Sequence, residues 1–132
     1  MEQKVICLDT SVLIEYYRKK VKAKTLLFLL NEKYYRFAAS TITEYEIYAG
    51  NTEIQNLFWD SLFQDITLLD FNSETARISA LIYMQLRSDN RLIENPDIFI
   101  AATAMKNNLP LATLNKKHFE HIKGLKLITP IP

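Results

Sequence analysis

Val5-Ile6-Cys7-Leu8-Asp9-Thr10-Ser11-Val12-Leu13-Ile14 holds a complete change of conformation within ten residues. The first four side chains are apolar and β-branched at their start, with nothing polar between them. That pattern predicts a short strand buried on both faces. Asp9, Thr10 and Ser11 follow, three residue types that favour helix starts, and residues 12–18 read as a helix. A doubly buried strand leading straight into a helix is the building unit of a parallel sheet covered on both sides.

The rest of the chain repeats this alternation. Residues 36–39, 66–69, 111–114 and 125–128 read as further short strands, and residues 22–30, 53–63, 73–87 and 96–106 as helices. Thr41 reads as an N-cap, with Glu44 completing a capping box, and the helix that follows runs to Ala49 before Gly50. Asn95-Pro96 reads as a helix start, asparagine as cap and proline at the first position. The expectation is an α/β fold, a single domain over residues 1–132, with a central parallel sheet of four or five strands and helices on both faces.

Composition narrows the function classes. An apolar share of 48% with 23% charged residues is that of a folded globular chain and excludes disorder. Only two glycines occur, Gly50 and Gly124, so there is no glycine-rich phosphate loop or dinucleotide fingerprint. Cys7 is the one cysteine, which excludes an intrachain disulfide and reads as a small core residue. No apolar run reaches the roughly 20 residues of a membrane span, and the N-terminus lacks the apolar stretch of a signal peptide, so a cytoplasmic protein is expected. A net charge of +1 excludes a strongly basic footprint but leaves two local clusters, one at Lys19, Lys20, Lys22 and Lys24, the other at Lys116, Lys117 and His118.

Three acids and an amide stand near expected junctions of strand and helix. In open parallel sheets, ligands bind beyond the carboxyl ends of the strands. Asp9 lies at such an end, although alone it reads as a helix cap. Asp97 falls in the first turn of a helix, where the dipole stabilises a carboxylate by about 0.3–1 kcal/mol without any function. Glu46 lies inside a helix and has no capping role. Asn115 follows the strand at 111–114 and alone reads as a cap for residues 116–119.

Taken in order, these segments resemble the motifs of PIN-domain nucleases, most nearly the VapC-type toxins of prokaryotic toxin–antitoxin pairs. Leu8-Asp9-Thr10-Ser11-Val12-Leu13-Ile14 is similar to the opening motif, and residues 42–50, with Glu46 ahead of Ile47 and Gly50 at the end, to the second. Asn95-Pro96-Asp97-Ile98-Phe99-Ile100-Ala101-Ala102 resembles the third, and Leu111-Ala112-Thr113-Leu114-Asn115 the fourth. The likeness spans essentially the whole chain. It implies a nuclease site of Asp9, Glu46, Asp97 and Asn115, supported by Thr10, Ser11 and Thr113. Two departures stand out. Asn115 occupies a position where many members carry another acid, leaving Glu94 as the nearest substitute. The glycine often found ahead of the third motif is replaced by Asn90-Arg91-Leu92.

Clustered carboxylates raise one another's pKa unless a cation neutralises them, and oxygen-only ligands favour Mg²⁺ or Mn²⁺. Asp9 and Asp97 are the expected direct ligands, with Glu46 direct or through water. The resemblance implies cleavage of structured RNA, transfer RNA first among candidates, leaving a 5′-phosphate and a 3′-hydroxyl. It also implies a neutralising antitoxin protein and a homodimer, for which Tyr16, Tyr17 and Tyr48 are candidate interface residues. Three other classes compete. A Mg²⁺-binding receiver-like module would use Asp70 as phosphoacceptor. A phosphatase of the haloacid-dehalogenase type needs an aspartate where Ser11 stands. A PIN-like interaction module would have lost activity through Asn115. His118 and His121 share a helix face but lack the partners of a zinc site and read as surface residues.

Overall fold

The computed structural model describes residues 4–34 and 36–130. The leader reading at residues 1–3 lies outside them. In chain order the elements are β1 (Val5–Leu8), α1 (Thr10–Arg18), a 3₁₀ turn (Lys22–Lys24), α2 (Leu26–Leu30), β2 (Arg36–Ser40), α3 (Thr41–Ala49), α4 (Glu53–Gln64) and β3 (Ile66–Leu69). Then come α5 (Ser73–Ser88), α6 (Asn95–Lys106), β4 (Leu111–Ala112), α7 (Lys116–Phe119) and β5 (Leu127–Ile128). The strands form one sheet in the order β3-β2-β1-β4-β5, every neighbouring pair parallel.

The alternation of side chains along β1 assigns its two faces. Ile6 and Leu8 join one core with Val12 and Leu13 of α1, Leu27 of α2 and Trp59 of α4. Cys7 joins the opposite core with Ile82 and Leu86 of α5, Ile98 and Ala101 of α6, and Phe119. Helices thus cover both faces, as a strand of unbroken apolar residues requires. Burial first, and then the negative charge of Asp9, push the Cys7 thiol up to about 12, which makes it packing material and not a nucleophile.

Several local expectations are corrected by tertiary contacts. The N-cap of α3 is Ser40, whose Oγ accepts from the N–H of Ile42; Thr41 Oγ1 instead accepts from the N–H of Phe71. Glu44 therefore has no capping box to complete. The capping box forms at α4, between Thr52 and Gln55. Asn95 is the first helical residue of α6, and the cap position falls to Glu94, whose side chain makes no capping bond. The helix expected at 22–30 is broken at Thr25, which ends the 3₁₀ turn and caps α2 by accepting from the N–H of Phe28. β4 and β5 are two residues each, shorter than expected.

The tyrosines behave differently too. Tyr17 packs against Phe58 and Trp59 at ring-centroid distances of 4.9 and 5.2 Å, and Tyr16 and Tyr48 are half-buried against the same core. All three are half-buried, whereas Tyr45 is 68% exposed. Asn90 supplies what the missing glycine would have supplied. It adopts φ 57°, and the N–H of Arg91 reaches back to the Leu86 carbonyl at 2.8 Å, closing the C-terminus of α5.

Candidate active site

The chain runs from β1 leftward to β2 and β3, and β4 returns to the other side of β1. The switch point therefore lies between β1 and β4, where doubly wound sheets open a crevice beyond their strand ends. Asp9 and Thr113 are the residues that leave those two strands, and they meet there. The N–H of Asp9 donates to the Ala112 carbonyl at 2.9 Å, extending the ladder by one residue.

Asp9 is 3% exposed. It occupies the N-cap position of α1, yet its side chain caps nothing. Instead its Oδ2 accepts from Ser11 Oγ at 2.7 Å and from Thr113 Oγ1 at 2.8 Å. Each hydroxyl is itself fixed. Ser11 Oγ accepts from the N–H of Leu114 at 3.1 Å, and Thr113 Oγ1 from the N–H of Asn115 at 2.9 Å. A hydroxyl has one proton, so each backbone donor leaves that proton for Asp9. A buried carboxylate held this way has a reason other than capping.

Glu46 projects from α3, half-buried, and its Oε1 accepts from Thr10 Oγ1 at 2.8 Å. The same Thr10 hydroxyl stands 3.0 Å from Thr43 Oγ1, tying α1 to α3. Asp97, in the first turn of α6, has its Oδ2 3.0 Å from His118 Nδ1. Burial raises the Asp97 pKa most, the charge of Asp9 raises it next, His118 opposes both, and Glu46 adds a smaller upward push. Asp97 thus feels the charge of both other acids across a single pocket.

That pocket has a volume of about 490 Å³, and Asp9, Glu46, Glu94, Asp97 and Asn115 all line it. Thr10 and Ser11 do so as well, while Thr113 acts from beneath through Asp9. The four sequence motifs are therefore brought to one place. Asn115 is exposed and holds its own turn only through its backbone, as its side chain caps nothing at α7. Asp70, the acid wanted by a receiver-like module, does not line the pocket.

Three polar pocket residues were not among the site residues read from sequence. His118 lies at the surface as expected, and its Nδ1 also stands 3.0 Å from an Asp97 oxygen. The signal was there: His118 stands three residues after Asn115, which holds the N-cap position of the short α7. Arg18, in the last turn of α1, also lines the pocket. Glu15 lines it too but is spent on structure, accepting from the N–H of Leu26 and pairing with Lys19 at 3.3 Å.

The donor set suits a hard divalent cation. Each of Asp9, Glu46 and Asp97 commits one oxygen to a protein partner, and among the described residues the other takes no hydrogen bond. The crowding that raises the Asp97 pKa is relieved by positive charge. Among the described residues no three His, Cys, Asp or Glu side chains stand close enough together to hold a metal ion as they are placed. Among the described residues no helix is long and apolar enough to cross a membrane.

Comparison with known proteins agrees with this geometry. A family model for the PIN domain matches residues 6–125. The chain is 37% identical over 129 residues to Ribonuclease VapC1 of Methanocaldococcus jannaschii, across 96% of this chain and 88% of the relative. In structure it is similar to a toxin–antitoxin complex from Klebsiella pneumoniae, with TM-score 0.75, 28% identity, and coverage of 96% of this chain and 98% of the other. The fold is also that of a DNA-bound VapBC from Salmonella typhimurium, with TM-score 0.81 at 24% identity over 97% and 98% of the two chains. PIN-domain ribonucleases are generally dependent on divalent metal. The match over nearly all of its length, with the four motifs gathered around one pocket, makes this chain a member of the PIN domain family.

Proposed function

We propose that this chain is an endoribonuclease dependent on Mg²⁺ or Mn²⁺ and the toxin of a toxin–antitoxin pair, working in the cytoplasm as a single domain over residues 1–132. The observation that carries the reading is Asp9, buried at the switch point, held by two hydroxyls and facing Glu46 and Asp97 in one pocket. The ribonuclease name of its relatives supports the same activity.

Asp9 and Asp97 are assigned as direct ligands of the cation, with Glu46 direct or through water. When bound, the cation supplies charge neutralisation and an activated water for in-line attack on phosphorus, leaving a 5′-phosphate and a 3′-hydroxyl. The chain's own work is positioning. Ser11 and Thr113 fix Asp9, Thr10 fixes Glu46, and His118 fixes Asp97. Asn115 offers an amide that can bind a phosphate oxygen or a water but cannot take a proton. Glu94 is the reserve acid at the rim. The substrate class is structured RNA, transfer RNA first.

The partner is a small antitoxin protein, in keeping with the toxin–antitoxin complex among the similar structures. An arginine from it, seated on the carboxylates, would replace the cation's charge and block the site. A homodimer is the expected assembly. The test is to map RNA ends after brief induction of wild type and Asp9→Asn. New 5′-phosphate ends in structured RNA with wild type alone support the proposal. Identical ends from both proteins overturn it.

A further inference from the structure

A second cavity, of about 290 Å³, adjoins the acidic pocket and shares His118 with it. Its floor is apolar, formed by Leu86 and Ile93, and its rim carries Arg91 and Lys117. Neither cation has a carboxylate within ion-pair distance among the described residues. The acid in this cavity, Glu120, has its Oε1 3.4 Å from His121 Nε2.

The charge elsewhere sharpens the contrast. Net charge is only +1, so no general basic surface attracts RNA, and the acidic pocket itself repels phosphates. In the cluster of lysines 19–24, Lys22 is committed to the carbonyls of Tyr16, Tyr17 and Lys19, and Lys19 to Glu15. Arg91 has no such partner, and its position is set by the backbone. The left-handed Asn90 and the bond from the Arg91 N–H to Leu86 fix its backbone beside the cavity.

We propose that this cavity is the subsite for the nucleotide next to the cleaved bond, with Arg91 and Lys117 on its phosphate and the half-buried Ile93 beneath its base. This rests on the ribonuclease reading for the identity of the strand. Two cations with no carboxylate partner among the described residues, in a cavity that shares His118 with the acidic pocket, set where the strand crosses and which bond meets Asp9. Arg91 and Lys117 bind; they take no part in the chemistry.

The experiment measures binding of a fluorescent single-stranded RNA in EDTA, where no cleavage occurs, to wild type, Arg91→Ala, Lys117→Ala, the double variant and Lys33→Ala. The double variant should bind about tenfold or more weakly, with a salt slope shallower by about 1.4 for two lost contacts. Lys33→Ala should match wild type, and all melting temperatures should agree, since both side chains are exposed. Binding by the double variant equal to wild type with the same slope overturns the proposal, as does wild type that binds no RNA. Unchanged RNA binding with loss of antitoxin binding would assign the cavity to the protein partner and overturn it as well. Wild type that binds RNA through Arg91 and Lys117 but cleaves no structured RNA when Mg²⁺ is added keeps the cavity as an RNA-binding site and refutes the ribonuclease reading.

Discussion

Replacing Thr113 by valine removes one oxygen from beneath Asp9 and leaves nearly everything else unchanged. The side chain is fully buried, and valine keeps its volume and its branch at Cβ, so no cavity opens. What is lost is the 2.8 Å bond to Asp9 Oδ2. A hydrogen bond to a charged group contributes about 1.5–3 kcal/mol, more than a neutral one, because a buried carboxylate cannot recover its donor from water. The N–H of Asn115 also loses its acceptor, but Asn115 is exposed and water can replace that bond at little cost. The expected loss is therefore about 2–3 kcal/mol. For a domain of this size that corresponds to a fall in Tm on the order of 10 °C. Urea and thermal unfolding of the metal-free protein at neutral pH measure it. Thr113→Ser is the control: it keeps the hydroxyl and loses one methyl, at about 1 kcal/mol. RNA cleavage by Thr113→Val should fall about 10- to 100-fold, the usual cost of removing a partner of a metal-holding group. Thr113→Val as stable as wild type, or more stable than Thr113→Ser, would refute the claim that the hydroxyl holds Asp9.

Other consequences can be checked alongside. Asp97→Asn should abolish cleavage yet raise Tm at neutral pH. The folded pKa of Asp97 lies above its unfolded value, so the charged form weakens the fold as pH rises through that range, and the gain should vanish as pH falls towards about 4. Equal gains at both pH values would contradict the origin of the shift. Asn90→Ala should cost about 1 kcal/mol by forcing a β-carbon into the left-handed region, while Asn90→Gly should be close to neutral in urea unfolding. Mg²⁺ at about 100 times its dissociation constant should stabilise wild type by about 2.7 kcal/mol, an increment that chelation removes and Asp9→Asn lacks.

The parts of this molecule that were legible from sequence are those set by local pattern. The unbroken apolar run Val5–Leu8 called for a doubly covered strand, and Asp9 at its end is where an open sheet places a ligand. Glu46 was legible for the opposite reason, since no local role accounted for it. The errors lie where two suitable residues stand side by side. Ser40 and Thr41 both favour helix starts, and only the distant N–H of Phe71, which takes the Thr41 hydroxyl, decides between them. Asn95 lost the cap to Glu94 in the same way, by a one-residue shift that pattern does not resolve. His118 was missed because its partner Asp97 is 21 residues away on another helix. The hydroxyl bonds to Asp9 were half visible: Ser11 is close in sequence, but Thr113 is 104 residues away and arrives only through the pairing of β1 with β4.

The central claim is that the pocket around Asp9, Glu46 and Asp97 cuts RNA with the help of a divalent cation. Its most direct test is cleavage of a structured RNA by purified wild type and Asp9→Asn, each with Mg²⁺ and with EDTA, after both are shown to be folded. Cleavage by wild type with Mg²⁺ alone, at least about 100-fold faster than by Asp9→Asn, is the predicted result. Asp9→Asn cutting at the wild-type rate, or wild type cutting equally well in EDTA, would contradict it.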